Sequence, residues 1–106
     1  FCLPSLEEHS GSVSLLEALQ AGRATVATAI DGIPEDVTHD EQAWLVPAGD
    51  PAALAAGLER LLTSPDVRRR LGAAARARFQ ERFSADAVVA ALRDLYVSEG
   101  RRMTPA

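Results

Sequence analysis

No lysine occurs in this 106-residue chain, so all eleven basic side chains are arginine. With only one cysteine, Cys2, no internal disulfide framework can form. Cys2 sits between Phe1 and Leu3, which predicts a small buried thiol and a reducing compartment. Aromatic residues make up 5% of the chain and do not interleave with the arginines, which argues against nucleic acid as a partner. No apolar run approaches the roughly 20 residues that a membrane-spanning helix requires. The sequence starts at Phe1 with no methionine and no charged leader. "FCLPS" reads as the end of a buried strand, so the expectation is a fragment of a longer protein, cut just before its motif.

At 47% hydrophobic and 25% charged, the chain reads as one soluble globular unit without a disorder signature. The net charge of −4 hides a division. Residues 1–50 carry nine acids and one base, Arg23, whereas residues 51–106 carry six acids and ten bases. Arg68, Arg69, Arg70, Arg76, Arg78 and Arg82 are expected to form the solvated face of one helix, in preference to a phosphate or membrane contact.

The first half alternates between strand and helix. Phe1–Leu3 predicts a strand end and residues 4–11 a loop. Ser12–Ala21 predicts a helix with Val13, Leu16, Leu19 and Ala21 on its apolar face, Leu15 beside it and Gly22 just past its end. "RATVATAI" predicts a short buried strand, "DGIPE" a loop with Gly32 in the turn and Glu35 capping a short helix from Pro34, and "AWLVP" another strand. Trp44 is expected to be buried against helices, and His39 receives no role. This alternation predicts an α/β fold with a parallel sheet.

The second half predicts three helices. Asp50-Pro51 and Ser64-Pro65 are cap-plus-proline starts. Leu54, Leu58, Leu61 and Leu62 mark the first helix, and Val67, Leu71, Ala74, Ala75 and Phe79 the second. The third starts at Ser84 and ends at Gly100, with Val88, Val89, Leu92, Leu95 and Tyr96 as its buried stripe and "RRMTPA" as a frayed tail. So few strands under so many helices suggest that the rest of the sheet lies upstream.

Chemistry concentrates in "PSLEEHSGSVSLLEALQAG", residues 4–22. A strand, a small-residue loop and a helix start form the place where α/β folds bind ligands. The backbone amides of Ser10, Gly11, Ser12 and Val13 lie at the positive helix end and suit a diphosphate. Ser-Gly-Ser at a helix start also serves simple capping, and that reading stays open. Glu17 within the helix can accept from vicinal ribose hydroxyls, or be an ordinary exposed helix glutamate. Glu8 before the loop can accept from sugar hydroxyls, or complement the helix dipole.

Together with "TVAT", "DGIPE", "AWLVPAGDPAALAAGLERLL" and "RRRLGAAARARFQERFS", this stretch resembles retaining glycosyltransferases of family 4, the glycosyl transferases group 1 proteins. The resemblance preserves the order of these blocks over nearly the whole chain. It implies the C-terminal half of a Rossmann-like domain in a two-domain, GT-B type enzyme. Residues 1–50 would be its strand/helix/strand part with the donor loop, and residues 51–106 its helical part. The implied reaction moves a sugar from a nucleoside diphosphate to an acceptor hydroxyl with retained configuration. The family pairs two glutamates separated by seven residues, the first at the donor sugar and the second at the ribose. Glu17 matches the second position. Glu8 matches the first better than Glu7, although eight residues separate Glu8 from Glu17. The implied catalytic residue is therefore Glu8, with Glu7, Ser10, Gly11, Ser12, Val13 and Glu17 as donor-binding residues.

The resemblance further implies no metal and no cofactor beyond a UDP-, GDP- or ADP-linked sugar, with the positive side chains supplied from upstream. The implied partners are a carbohydrate or lipid-linked acceptor and the missing upstream domain. The implied location is cytoplasmic, with a peripheral position at the inner membrane face open. The final helix resembles the segment that crosses back to brace the N-terminal domain, and the fragment alone is expected to be inactive. Two rivals stay open: an epimerase- or phosphorylase-type enzyme of the same fold, and a noncatalytic assembly piece built on the three C-terminal helices.

Overall fold

The computed structural model describes residues 1–103. Three short strands, β1 (Cys2–Leu3), β2 (Val26–Thr28) and β3 (Trp44–Val46), pair in parallel in the order β1-β2-β3. The register sets Cys2 beside Val26 and Val26 beside Trp44, with Leu3, Ala27 and Leu45 in the next row. Alternation along a strand sends these rows to opposite faces, so the sheet is packed on both sides. On one face, Ala27 joins Leu15, Leu19, Ile33, Val37, Ala43 and Ala75. On the other, Val26 and Val46 join Leu61, Val67 and Leu71. Each fully buried Leu or Ile contributes about 1.5–3 kcal/mol by leaving water. As predicted, this is an α/β unit with a parallel sheet.

The helices are α1 (Val13–Gln20), α2 (Ile33–Asp36), α3 (Pro51–Thr63), α4 (Pro65–Arg78) and α5 (Ala85–Met103). Their ends follow the predicted caps. The side chains of Ser12, Asp50 and Ser64 accept from the amides of Leu15, Ala53 and Val67. Gly22, at φ +66°, ends α1 in a Schellman motif: its amide bonds Leu19 O and that of Arg23 bonds Ala18 O.

Several expectations are corrected. The buried face of α1 is Leu15, Ala18 and Leu19, while Val13 is 72% exposed and Ala21 is exposed. Sheet pairing leaves Arg23–Thr25 and Ala29–Ile30 outside β2. Cys2 is half-buried; among the described residues β1 pairs on one side only, with β2. Within α3, Leu61 is buried but Leu62 is 73% exposed. α2 starts at Ile33 with Gly32 as its cap, and Glu35 makes no capping bond. Trp44 is half-buried rather than buried; it packs on α3 so closely that a Cβ at Gly57 would come 2.8 Å from its ring. His39 has a role after all: Nδ1 accepts the amide of Leu45 at 3.0 Å, and its ring meets Trp44 edge-on.

The largest correction concerns α5. A π-helical turn at Phe79–Phe83 closes α4 with a bond from Ser84 N to Phe79 O, and both phenylalanines rest on the first core. Ser84 then caps the amide of Ala87, as its position predicts. Beyond it the expected buried stripe is bare: Val88, Val89, Leu92, Leu95 and Tyr96 are 43–74% exposed. The helix also runs through Gly100 to Met103, so Arg101–Met103 of the expected tail are helical and the remainder lies outside the described residues. No helix among the described residues is long and apolar enough to cross a membrane.

The arginines are also corrected. They are not merely solvated: helix C-termini leave carbonyls without partners, and these side chains reach them. Arg68 donates to Leu61 O and Leu62 O at the end of α3. Arg76 donates to Gln20 O at the end of α1. Arg78 and Arg82 donate to Asp36 O and Glu35 O in α2. Arg70 pairs with Asp40 at 2.7 Å. Of the six, only Arg69 stays on its own helix, paired with Asp66.

Candidate functional site

The loop between β1 and α1 lies at the carboxyl end of the sheet, where parallel folds place their ligands. Its conformation is fixed by side chains of the neighbouring strand and of the loop after it. Thr28, buried at the end of β2, donates through Oγ1 to Ser5 O at 2.7 Å. Ser5 Oγ in turn donates to Glu8 Oε1 at 2.5 Å. One oxygen of Asp31, Oδ2, accepts the amides of Glu8 at 2.7 Å and His9 at 2.9 Å. The Thr28 and Asp31 contacts join residues more than twenty positions apart.

The fit of the loop depends on Gly32. A Cβ there would lie 1.9 Å from Ser10 O and 2.5 Å from Ser10 C, so any other residue would collide with the loop backbone. The turn expected at Gly32 is thus a site of close approach, with an ordinary φ of −79°. His9 and Asp31 take positive φ of 61° and 49°, a left-handed geometry that histidine and aspartate adopt more readily than most residues. A cleft of about 420 Å³ is lined by His9, Ser10, Gly11, Asp31, Gly32, Glu35 and Asp36. Partial burial raises the pKa of Asp36; Glu35 adds to the rise, while Arg82 and Arg78 oppose it. A second cavity, about 280 Å³, has largely apolar walls from Pro4, Leu6, Pro47 and Leu54.

The sequence-predicted residues separate clearly here. Glu8 is held at both its backbone and its carboxylate, with Oε2 outside those bonds. Glu7 is exposed and makes no bond among the described residues. Ser10 and Gly11 form the stretch of loop seated on Gly32. The Ser12 hydroxyl is committed to the α1 cap, while the amides of Ser12, Val13 and Ser14 receive no partner from the helix itself. Val13 and Glu17, one turn apart, share the exposed face of α1. Glu17 lies about 7 Å beyond Ser12 along the axis at 1.5 Å per residue. Asp31, Ser5 and Thr28 were not legible as site residues; the only signal was the Asp-Gly pair, which marks a turn without saying what it touches. No cluster of three or more metal-ligating side chains occurs among the described residues.

Known proteins resemble this chain over most of its length. A lipopolysaccharide core biosynthesis glycosyltransferase, LpsD, of Rhizobium meliloti is 35% identical over 96 residues, which are 91% of this chain and 28% of that protein. A D-inositol 3-phosphate glycosyltransferase of Streptomyces bingchenggensis is 36% identical over 99 residues, 93% of this chain and 21% of that protein. Among solved structures, a sucrose-phosphate synthase of Thermosynechococcus elongatus superposes with a TM-score of 0.82 at 32% identity, covering 95% of this chain and 25% of the other. Anabaena HepE, solved in complex with UDP, shares the fold with a TM-score of 0.84 at 20% identity, covering 92% and 27%. The chain thus spans about a quarter of the length of these relatives, and its fold is the Rossmann-like C-terminal half found in GT-B glycosyltransferases. The family model for glycosyl transferases group 1 matches residues 1–78, and this chain belongs to that family.

Proposed function

We propose that this chain is the donor-binding part of a retaining, family 4 glycosyltransferase that uses a nucleoside-diphosphate sugar. The observation that carries the reading is the double restraint on Glu8: Ser5 holds its carboxylate and Asp31 its backbone, just before a helix start. A carboxylate kept in one place can meet a sugar hydroxyl without first giving up conformational freedom. The diphosphate would lie on the amides of Ser10, Gly11, Ser12 and Val13, where charge building on the leaving group is stabilised by aligned N–H dipoles. Glu17 would hold the ribose hydroxyls from the exposed face of α1. Further positive charge would come from upstream arginine and lysine, with no metal or cofactor required. The acceptor, carbohydrate or lipid-linked, would be held by the upstream domain, and a location peripheral to the inner membrane face fits such an acceptor. α5 would brace that domain with its bare apolar face. The isolated chain would therefore turn over no donor.

Thermal unfolding of the full-length protein with UDP, GDP, ADP and their sugar conjugates tests this. A specific ligand at a hundred times its Kd adds about 2.7 kcal/mol to stability. The expected result is a shift with one nucleotide that is lost on Glu17→Ala. No shift with any of them defeats the proposal. The exposed row of α5 favours one rival, a noncatalytic assembly role. That rival requires Glu8→Ala and Glu17→Ala to leave the full-length protein's function intact.

A further inference from the structure

We infer that Asp31 is a positioning residue for Glu8, an inference that rests on the donor-site reading above. Asp31 lies 23 positions from Glu8 and on another loop, yet its Oδ2 receives two successive amides, Glu8 N and His9 N. This pair of bonds fixes the direction in which the chain leaves Glu8. The Ser5 hydroxyl fixes the other end of the same side chain, and Thr28 anchors Ser5 through its carbonyl. The restraint runs from the buried end of β2 to a single carboxylate oxygen. Asp31 Oδ2 faces the backbone of the loop. It acts through Glu8, by removing orientations in which Oε2 would miss the sugar.

The backbone at Asp31 permits a clean test. Its φ of +49° suits glycine and asparagine, so neither replacement is opposed by the local conformation. Asp31→Gly removes the acceptor, whereas Asp31→Asn keeps a carbonyl oxygen where Oδ2 stands. The readout is release of nucleoside diphosphate by the full-length protein from UDP-glucose, GDP-mannose and ADP-glucose. Donor affinity is followed separately by the thermal shift.

Asp31→Gly is expected to lower kcat by about tenfold to a hundredfold, the scale of a misplaced reacting group, with donor affinity little changed. Asp31→Asn is expected to retain most of the parental rate. In a Glu8→Gln background, Asp31→Gly is expected to cost nothing further, because residues that act as a unit are not additive. A parental kcat in Asp31→Gly overturns the inference, as do losses that multiply between Asp31→Gly and Glu8→Gln. A normal rate in Glu8→Gln alone, or no release by the parent from any of the three donors, defeats the underlying assignment of Glu8 instead. Those results are distinguishable from failure at Asp31.

Discussion

Helices α4 and α5 follow one another, are both amphipathic, and end very differently. α4 buries Val67, Leu71 and Ala75 in both cores and sends arginines to the carbonyls of three other helices. α5 buries nothing, and its row of Val88, Val89, Leu92 and Leu95 faces outward. An apolar stripe states that a helix has a face to cover. It does not state whether the cover lies within the same 106 residues. The arginines carry the same lesson for charge. The acidic and basic halves do not meet mainly through ion pairs. Among the described residues one ion pair, Arg70–Asp40, crosses between them, while Arg76, Arg78 and Arg82 cross to backbone carbonyls.

Substitutions on the two helices test this contrast. Leu71→Ala is expected to cost about 2–5 kcal/mol, because Leu71 is fully buried and its removal leaves a cavity. Leu92→Ala, at 46% exposure, is expected to cost under about 1 kcal/mol in this chain. Denaturant midpoints measured side by side check the pair, and equal losses would erase the distinction between the helices. A smaller difference is expected between arginines. Arg78→Ala strips the donor from Asp36 O and is expected to cost about 1 kcal/mol, while Arg93→Ala on α5 should stay within about 0.5 kcal/mol.

The smallest effect should be visible only through pH. The Arg70 hydrogen bond holds the Asp40 carboxyl below its ordinary value of 3.8. A depressed native pKa gives stability that is fully present above 3.8 and lost as pH falls through the lowered value. Arg70→Ala should therefore lower Tm slightly at pH 6 and converge with the parent in strong acid. A constant offset at every pH would mean that Arg70 acts through packing or through Asp40 O instead.

The caps were legible because each is a local exchange of bonds. Ser12, Asp50, Ser64 and Ser84 sit three residues from the amides they receive, and Gly22 turns the chain at the residue where α1 must end. The face of α1 was misread because two periodic choices, Val13 with Leu16 or Leu15 with Leu19, differ by less than a turn. Only the position of the sheet chooses between them. The candidate site was half legible. Glu17 stands out as a carboxylate in an apolar run and Glu8 as one of two carboxylates before a small-residue loop, but nothing near Glu8 in sequence reveals Asp31.

The family, the order of strands and helices and the capped starts of α1, α3, α4 and α5 follow from local sequence. Those are set by hydrogen bonds and hydrophobic spacing within a few residues. Packing sets which glutamate is held, why glycine stands at position 32, and where the arginines go. Most of those depend on an approach between segments at least twenty residues apart, such as Asp31 against Glu8 N, Gly32 against Ser10 O or Arg76 against Gln20 O. Local spacing carries no record of such a meeting. Only the packing of α1, α4 and the sheet around shared cores brings those atoms together.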